Sequence, residues 1–287
     1  MTGHGEAAHD ILVGIDPVRE WHLPLAWAAD EAYRRRLPLR LVLAVPPPRD
    51  THHVDHTTRQ TALRRAGAER IEQARDWAHG RHPELAVVGD VREGFPAPVL
   101  AGAARHARMV VLGSRHLGRV AEVFSAGSLV VPVTAQAACP VVVVGDADHI
   151  TQQPPYFVVG IDGSAASATA LAFAFDEADL RGAAVRAVSV WQPPVLPLHG
   201  REAALQAQRA LLAETTAGLS EKYPDVHLTH EVPVGHPVEE LARAAEHALA
   251  VVVGRRGRGG YTGMRVGSTV HGLLHRAHCP VITVPNG

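Results

Sequence analysis

The segment FVVGID at residues 157–162 repeats the segment ILVGID at residues 11–16, which lies 146 positions earlier. Three further matches follow at spacings of 140 or 141: VREGFPAPVLAGAA (91–104) with VPVGHPVEELARAA (232–245), VVLGSR (110–115) with VVVGRR (251–256), and AACPVVVV (137–144) with AHCPVITV (277–284). Self-similarity at a long spacing indicates a duplicated structural unit. We therefore predict two domains, a first copy at residues 1–147 and a second copy at residues 153–287, joined by a polar linker at about residues 145–155.

Length and composition agree with this division. The chain has 287 residues, of which 46% are hydrophobic, and its net charge is −1. Two domains of roughly 140 residues are each large enough for one core. The balanced charge gives no reason to expect a nucleic-acid partner or an anionic membrane surface. The N-terminal residues do not resemble a signal peptide, and no run of about 18 apolar residues exists. A cytoplasmic protein is the expectation.

Each copy has the pattern βαβαβαβαβ. Short continuous apolar runs, typical of parallel strands that are buried on both faces, alternate with segments of helical spacing. The predicted strands are 11–16, 39–45, 85–91, 109–113 and 141–144 in the first copy, and 156–162, 184–191, 226–232, 250–254 and 281–285 in the second. This alternation predicts an α/β fold in which each copy is a doubly wound, Rossmann-like parallel sheet flanked by helices. A ligand of such a sheet lies beyond the carboxyl ends of the strands.

A glycine-rich segment follows the fourth strand of the second copy. In GRRGRGGYTGMRVGSTV (254–270), Gly254 and Gly257 are separated by two residues, and nine more precede Gly267 and Ser268. Glycines allow successive N–H groups to face one anion, and a helix that begins at Ser268 would direct its unpaired N–H groups and positive dipole end the same way. Arginines in the segment add charge, and Gly257 and Gly267 are expected to adopt backbone angles or close approaches that other residues cannot. The segment is predicted to bind phosphate; the alternative is a solvated loop.

The first strand of each copy ends in Val-Gly-Ile-Asp, with Gly14 and Asp16 in the first copy and Gly160 and Asp162 in the second. A glycine within a strand permits close approach, either by a packed helix or by a ligand. The carboxylate can cap the following helix or accept a hydrogen bond from a ligand. Both alternatives remain open for each residue.

Two common nucleotide-binding motifs are absent from the sequence. There is no G-x4-G-K-[ST] segment and no G-x-G-x-x-G after the first strand. The glycine-rich segment also has no acidic residue between Val251 and Val270. Phosphoryl-transfer enzymes hold Mg²⁺ with such residues, so the segment predicts binding rather than catalysis.

Three motifs resemble the ATP-binding branch of the universal stress protein family: Val-Gly-Ile-Asp on strand one, G-x2-G-x9-G-S after strand four and His-Cys-Pro before strand five. The resemblance covers nearly the whole of both copies. The resemblance implies strand order 3-2-1-4-5 and pairing of sheets along the fifth strand. Under this order the apolar fifth strands, Val141–Val144 and Val281–Val284, are edges, and exposed apolar edges invite pairing, so we predict an intrachain pseudo-dimer and a homodimer. It implies ATP as the ligand, with ADP, AMP and accompanying Mg²⁺ left open. Strand one and the end of strand two would hold adenine, and the glycine loop and helix start would hold ribose and phosphates. The implied site residues of the second copy are Gly160, Asp162, Val190, Gly254, Arg255, Arg256, Gly257, Arg258, Gly259, Gly260, Gly267, Ser268 and Thr269.

The first copy departs from this pattern. His116 stands at the second glycine position, and ten residues rather than nine separate it from Gly127. Pro17 takes the place of the glycine that follows the aspartate in the second copy. We expect weaker nucleotide binding there. The corresponding residues are Gly14, Asp16, Val45, Gly113, Ser114, Arg115, Gly118, Arg119, Gly127 and Ser128.

Histidines and cysteines are given no chemical role. His52, His53, Asp55 and His56 cluster without a counterpart in the second copy, and His271, His275 and His278 share a predicted helix face. Metal sites need three or four ligands in fixed geometry, so no metal is expected. Cys139 and Cys279 are equivalent positions of the repeat and are expected to be small buried residues rather than a disulfide.

Three functions are consistent with the sequence. The first is a regulatory ATP-binding protein, not an enzyme or at most a very slow ATPase, that acts in a stress response. The second is a dimerisation or scaffold module that has lost its nucleotide. The third is an adenine-nucleotide-dependent enzyme, against which the absence of SGGxDS, HIGH and KMSKS segments argues.

Overall fold

The computed structural model describes residues 10–47, 56–114, 129–145, 149–193, 201–258 and 266–286. Within these ranges, the residues up to 144 form one compact unit and those from 145 onwards form a second. The two units are described separately below as the first copy and the second copy. No helix among the described residues is both long enough and apolar enough to cross a membrane.

The first copy has five strands, four α-helices and a short 3-10 turn. In chain order the elements are β1 (Asp10–Gly14), α1 (His22–Arg35), β2 (Leu39–Val45), α2 (His56–Arg81), β3 (Val87–Glu93), α3 (Pro96–Ala103), the 3-10 turn (Ala104–His106), β4 (Ala107–Gly113), α4 (Val130–Gln136) and β5 (Val141–Val144). The second copy repeats this succession without a separate 3-10 turn. Its elements are β6 (Tyr156–Gly160), α5 (Ala165–Arg181), β7 (Ala184–Val188), α6 (Arg201–Lys222), β8 (Leu228–Glu231), α7 (Pro237–Ala244), β9 (Ala250–Gly254), α8 (Ser268–Arg276) and β10 (Val281–Val284).

Every strand pair within each copy is parallel. The first copy has the order β3-β2-β1-β4-β5, and the second has the order β8-β7-β6-β9-β10. The predicted α/β class and the implied order 3-2-1-4-5 are therefore confirmed in both copies. The order reverses between the first and fourth strands, so the switch point of each sheet lies at the ends of β1 and β4 or of β6 and β9.

Burial explains why the strands were recognisable. The central and fifth strands are runs of valine, isoleucine and leucine with side chains almost completely buried on both faces, as in VVVV of β5. Such strands read as continuous apolar runs because helices cover both sides of the sheet. β1 and β6 end at Gly14 and Gly160, two residues before the predicted ends. Asp16 and Asp162 consequently lie beyond the sheet, in the loops that begin α1 and α5.

The segment Asp-Glu-Ala, which occurs at residues 30–32 and again at residues 176–178, places one buried carboxylate in each copy. Glu31 and Glu177 have fully buried side chains and pair with Arg35 and Arg181, four residues later on the same helix. A buried charge is tolerated only with such a partner. Each of these helices then ends in a left-handed residue, which is Arg36 in α1 and Gly182 in α5.

Both cysteines are buried, free thiols at the turn before the fifth strand. Burial raises the pKa of Cys139 and of Cys279 to about 12. Since the thiolate is the reactive form, both side chains behave as small apolar residues at neutral pH.

Candidate functional site

A cavity of about 410 Å³ opens at the carboxyl ends of β6, β7 and β9, beside the N-termini of α5, α7 and α8. This volume falls within the range of roughly 300–1,000 Å³ that is usual for small-molecule sites. The position is the switch point of the sheet, where open parallel sheets bind ligands.

The cavity collects most of the residues that the sequence assigned to the second-copy site. The lining includes Gly160, Asp162, Val190, Gly254, Arg256, Gly257, Arg258, Gly267, Ser268 and Thr269. Arg255 lies next to this lining and does not belong to it. Gly259 and Gly260 lie outside the described residues. The structure thus brings the ends of three strands and the glycine segment around one space.

Asp162 joins the first strand to the glycine segment. Its Oδ1 accepts hydrogen bonds from the Ser164 backbone N–H at 3.0 Å and the Ser164 hydroxyl at 2.6 Å. Its Oδ2 accepts the backbone N–H of Arg258 at 2.8 Å. Burial opposes ionisation of this carboxyl, but the hydrogen bonds from Ser164 and Arg258 outweigh it and lower the pKa of Asp162. Asp162 is therefore ionised and joins the loop after β6 to the glycine segment by hydrogen bonds.

Two glycines of the segment are required by contacts rather than by unusual backbone angles. A Cβ on Gly257 would lie 2.1 Å from Asp162 Oδ2, and a Cβ on Gly254 would lie 2.8 Å from the backbone of Ala166 in α5. Neither glycine has a positive φ. Gly257 therefore lets the segment approach the carboxylate, and Gly254 lets the first turn of α5 approach β9.

Gly267 corrects an expectation based on the motif. A glycine at this position suggests backbone angles or an approach that other residues cannot adopt. Gly267 is instead extended, with φ −69° and ψ 153°, and an added Cβ would meet no described atom closer than the Arg255 carbonyl oxygen at 3.4 Å. The described contacts and the backbone angles therefore leave room for a side chain at this position.

Backbone hydrogen bonds close the base of the glycine loop. Arg255 N–H donates to the Val284 carbonyl at 2.8 Å, and Gly267 N–H donates to the Arg255 carbonyl at 2.9 Å. The first bond holds the end of β9 against the end of β10, and the second brings the end of β9 and the start of α8 together. The first N–H groups of α8, which have no acceptor within a helix, then face the cavity lined by Gly267, Ser268 and Thr269.

The charges around the cavity favour an anion at one end. Arg256 and Arg258 line it, and Asp162 is the one carboxylate among its described lining residues. Burial and the neighbouring Arg256 lower the pKa of Arg255, so positive charge is concentrated in this segment. An anion would relieve that repulsion, and guanidinium groups match phosphate geometry. The remaining wall is largely apolar and comes from β7, α7 and β9: Val188, Val190, Val238, Leu241 and Val253.

Several lining residues were not predicted from the sequence. Ser164 caps α5 by accepting the Ser167 N–H at 3.1 Å, and an Asp-x-Ser segment after a strand could have indicated it. Gln208 on α6 and His236 before α7 also line the cavity. They come from distant parts of the chain and belong to no motif, so only the tertiary structure identifies them.

In the first copy, the described candidate residues occupy the equivalent strand ends. Gly14 ends β1, and a Cβ there would contact Leu100 and Leu112, as one on Gly160 would contact Leu241 and Val253. Val45 ends β2, Gly113 ends β4, and the Ser114 N–H donates to the Val144 carbonyl at 2.7 Å. Arg115, Gly118, Arg119, Gly127 and Ser128 lie outside the described residues.

The loop after β1 differs between the copies in a way that Pro17 explains. Gly163 has φ 75°, whereas proline is fixed near −65°. Asp16 Oδ1 accepts the N–H groups of Val18 and Arg19, both at 2.9 Å, and α1 starts three positions later than α5 by the repeat. Among the described residues, Asp16 stabilises its own turn and Asp162 also accepts a hydrogen bond from the glycine segment; the counterpart of that segment in the first copy lies outside the described residues.

The same end of the first copy is more apolar. Val18 is 86% exposed and Phe95 is 63% exposed. By the repeat they correspond to Ser164 and His236, which line the cavity of the second copy. The two copies therefore present different chemistry at equivalent positions.

The described histidines do not form a cluster of the kind expected for a metal. His271 and His275 lie on α8 with ring centroids 5.0 Å apart, and His278 follows the helix. Among the described residues, no group of three or more histidine, cysteine, aspartate or glutamate side chains could hold a metal ion. His52, His53 and Asp55, and the side chain of His56, lie outside the described part.

Comparisons with known proteins identify relatives of this chain. The family model of the universal stress protein family matches residues 8–145 and 157–285. Universal stress protein Rv2005c of Mycobacterium tuberculosis is 35% identical over 285 residues, which cover 96% of each chain. A universal stress protein of Mycolicibacterium smegmatis is 36% identical over 289 residues, covering 96% of this chain and 97% of the relative.

The fold matches as well. The crystal structure of a universal stress protein from Archaeoglobus fulgidus superimposes with a TM-score of 0.72 at 15% identity, and 98% of each chain is covered. Two family matches in tandem and relatives of the same length account for the repeat that is visible in the sequence. The chain belongs to the universal stress protein family, of which it contains two consecutive domains.

Proposed function

We propose that this chain is a regulatory protein that binds ATP in its second copy, with ADP and AMP as alternative ligands. The supporting observation is the cavity at the ends of β6, β7 and β9. It combines an apolar wall, suited to a base, with Arg256, Arg258 and the start of α8, which are suited to phosphates. The resemblance stated for the glycine segment points to the same ligand.

We also propose that the protein is not an enzyme, or is at most a very slow ATPase. Phosphoryl transfer uses carboxylates that hold Mg²⁺ and orient the attacking group. Asp162 is the one carboxylate among the described lining residues, and it already accepts hydrogen bonds from Ser164 and Arg258. Any Mg²⁺ would therefore enter with the phosphates rather than on protein carboxylates.

The first copy is expected to bind nucleotide more weakly, and a scaffold role is its second candidate function. Exposed Val18 and Phe95 in place of Ser164 and His236 favour this assignment, because they remove polar groups from the equivalent position. We also propose that two chains associate, as expected from the apolar fifth strands. Light scattering of the intact protein tests that step, and a monomer at high concentration would contradict it.

Calorimetric titration of the intact chain with adenosine, ADP and ATP tests the nucleotide site. Arg256→Gln should reduce ATP affinity by roughly tenfold, the value of about one charge-assisted hydrogen bond, and should change adenosine affinity little. The control is Arg276→Gln at the C-terminal end of α8, where the side chain is exposed and pairs with Glu239. Equal ATP binding by the parent and by Arg256→Gln would contradict the proposed phosphate position, and absence of all binding would contradict the function.

A further inference from the structure

A relay of hydrogen bonds leads from the end of β6 to the cavity. Ser189 follows β7 directly and is fully buried. Its hydroxyl donates to the carbonyl oxygen of Ile161 at 2.8 Å. Gln208, on α6, donates from Nε2 to the same Ser189 oxygen at 2.6 Å. The Gln208 side chain also lines the cavity.

This relay determines which way the Gln208 amide faces. A serine hydroxyl has a single hydrogen, and here it is donated to Ile161, so the oxygen can only accept from Gln208. The amide must therefore direct its nitrogen towards Ser189. Its carbonyl oxygen is left on the other side and accepts no hydrogen bond from the part of the chain that the structure describes. Gln208 thus brings a fixed acceptor, with one remaining N–H beside it, to the cavity.

The fixed acceptor selects between purine bases. Adenine carries an amino group at position 6 next to a ring nitrogen acceptor, and glutamine can pair with both at once. Hypoxanthine and guanine carry an oxygen at position 6, which would face the Gln208 carbonyl and leave two acceptors opposed. An amide that was free to turn could accommodate either base, but the bond to Ser189 prevents the turn. We propose that Gln208, oriented by Ser189, selects adenine over 6-oxopurines. This inference rests on the ATP site proposed above.

The first copy lacks this device. By the repeat, Leu43 stands at the position of Ser189 and Gly67 at that of Gln208. The equivalence holds in space, because a Cβ on Gly67 would lie 3.1 Å from Leu43. Both members of the pair are apolar in one copy and polar in the other. The relay is therefore a property of the second copy and not a requirement of the fold.

The test is calorimetric titration of the intact chain with ATP and with inosine 5′-triphosphate, which differs at position 6 and in the protonation of the neighbouring nitrogen. The parent should bind ATP at least tenfold more tightly. Gln208→Leu, at a half-buried helix position, should bring the two affinities within about threefold of each other. Ser189→Ala should also reduce the preference, because the amide can then turn. Gln206→Leu, the same change two residues earlier on α6 at an exposed position outside the cavity lining, should keep it.

The outcomes separate this inference from the function on which it rests. If the parent binds neither triphosphate, the nucleotide site itself is wrong. If the parent binds ATP and Gln208→Leu retains the full preference over inosine triphosphate, Gln208 does not select the base, and this inference alone is overturned. If Ser189→Ala does not fold, because the Ile161 carbonyl is then left without its donor, the Gln208→Leu titration decides the question.

Discussion

Gly257→Ala tests the contact between the glycine segment and Asp162. The added Cβ would lie 2.1 Å from Asp162 Oδ2, more than an ångström inside an ordinary contact. Gly257 has no positive φ, so the alanine backbone itself would not be strained. The carboxylate or the segment must move, and either movement breaks the hydrogen bond from Arg258 N–H to Oδ2, which is 2.8 Å long.

The expected loss follows from that bond. A hydrogen bond to a charged group contributes about 1.5–3 kcal/mol, so Gly257→Ala should lower the stability of the second copy by roughly that amount. Gly218→Ala is the control, since Gly218 lies within α6 and a Cβ there would meet nothing within 4 Å. That change should raise stability by about 0.5–1 kcal/mol, because alanine is the better helix former.

A double-mutant cycle makes the test specific. In an Asp162→Ala background the carboxylate is gone, so adding Gly257→Ala should cost almost nothing further. The coupling between the two changes should then be about 1–3 kcal/mol. Amide hydrogen exchange in β9 measures it, because it reports on the second copy even if the two copies unfold separately. Additive effects of the two substitutions would refute the proposed contact.

Two other predictions concern stability. Arg36 in α1 and Gly182 in α5 both end their helices in the left-handed region, at φ 54° and 59°. Arg36→Gly should stabilise the first copy by up to about 1 kcal/mol, and Gly182→Ala should destabilise the second by about 1 kcal/mol, although open space surrounds Gly182. Urea unfolding measures both changes in the free energy of unfolding. If both substitutions changed it in the same direction, the backbone argument would be contradicted. The pKa of Asp162 is lower in the folded chain than its ordinary value of 3.8. Its contribution is therefore present above about pH 4 and lost as pH falls through the folded value, so the stability difference between the parent and Asp162→Asn should be clear at pH 7 and should shrink in urea unfolding below pH 3. A stability difference between the parent and Asp162→Asn that does not depend on pH would contradict the stabilising role of the ionised Asp162 carboxylate.

The sequence predicted what depends on local pattern. The apolar runs located all ten strands, and their ends were misplaced by about two residues where a loop such as that of Asp162 continues an apolar segment. The glycine spacing located the segment around the cavity because chain neighbours remain neighbours in space. Gln208 could not be found in this way, since its position depends on how α6 crosses the sheet. At Gly267 the motif predicted backbone angles or an approach that only glycine allows, but the backbone there is extended and any residue can adopt it.

The closed base of the glycine loop has a consequence for how this family can diversify. The bonds from Arg255 to Val284 and from Gly267 to Arg255 join main-chain atoms only, so they place no demand on side-chain identity. The first copy keeps the corresponding bond from Ser114 to Val144, although its sequence between the equivalent positions is one residue longer. In both copies a main-chain bond thus holds the end of the fourth strand against the fifth, whatever the side chains of the residues between them. That stretch can be exchanged, lengthened or shortened in one domain while the sheet that supports it remains the same.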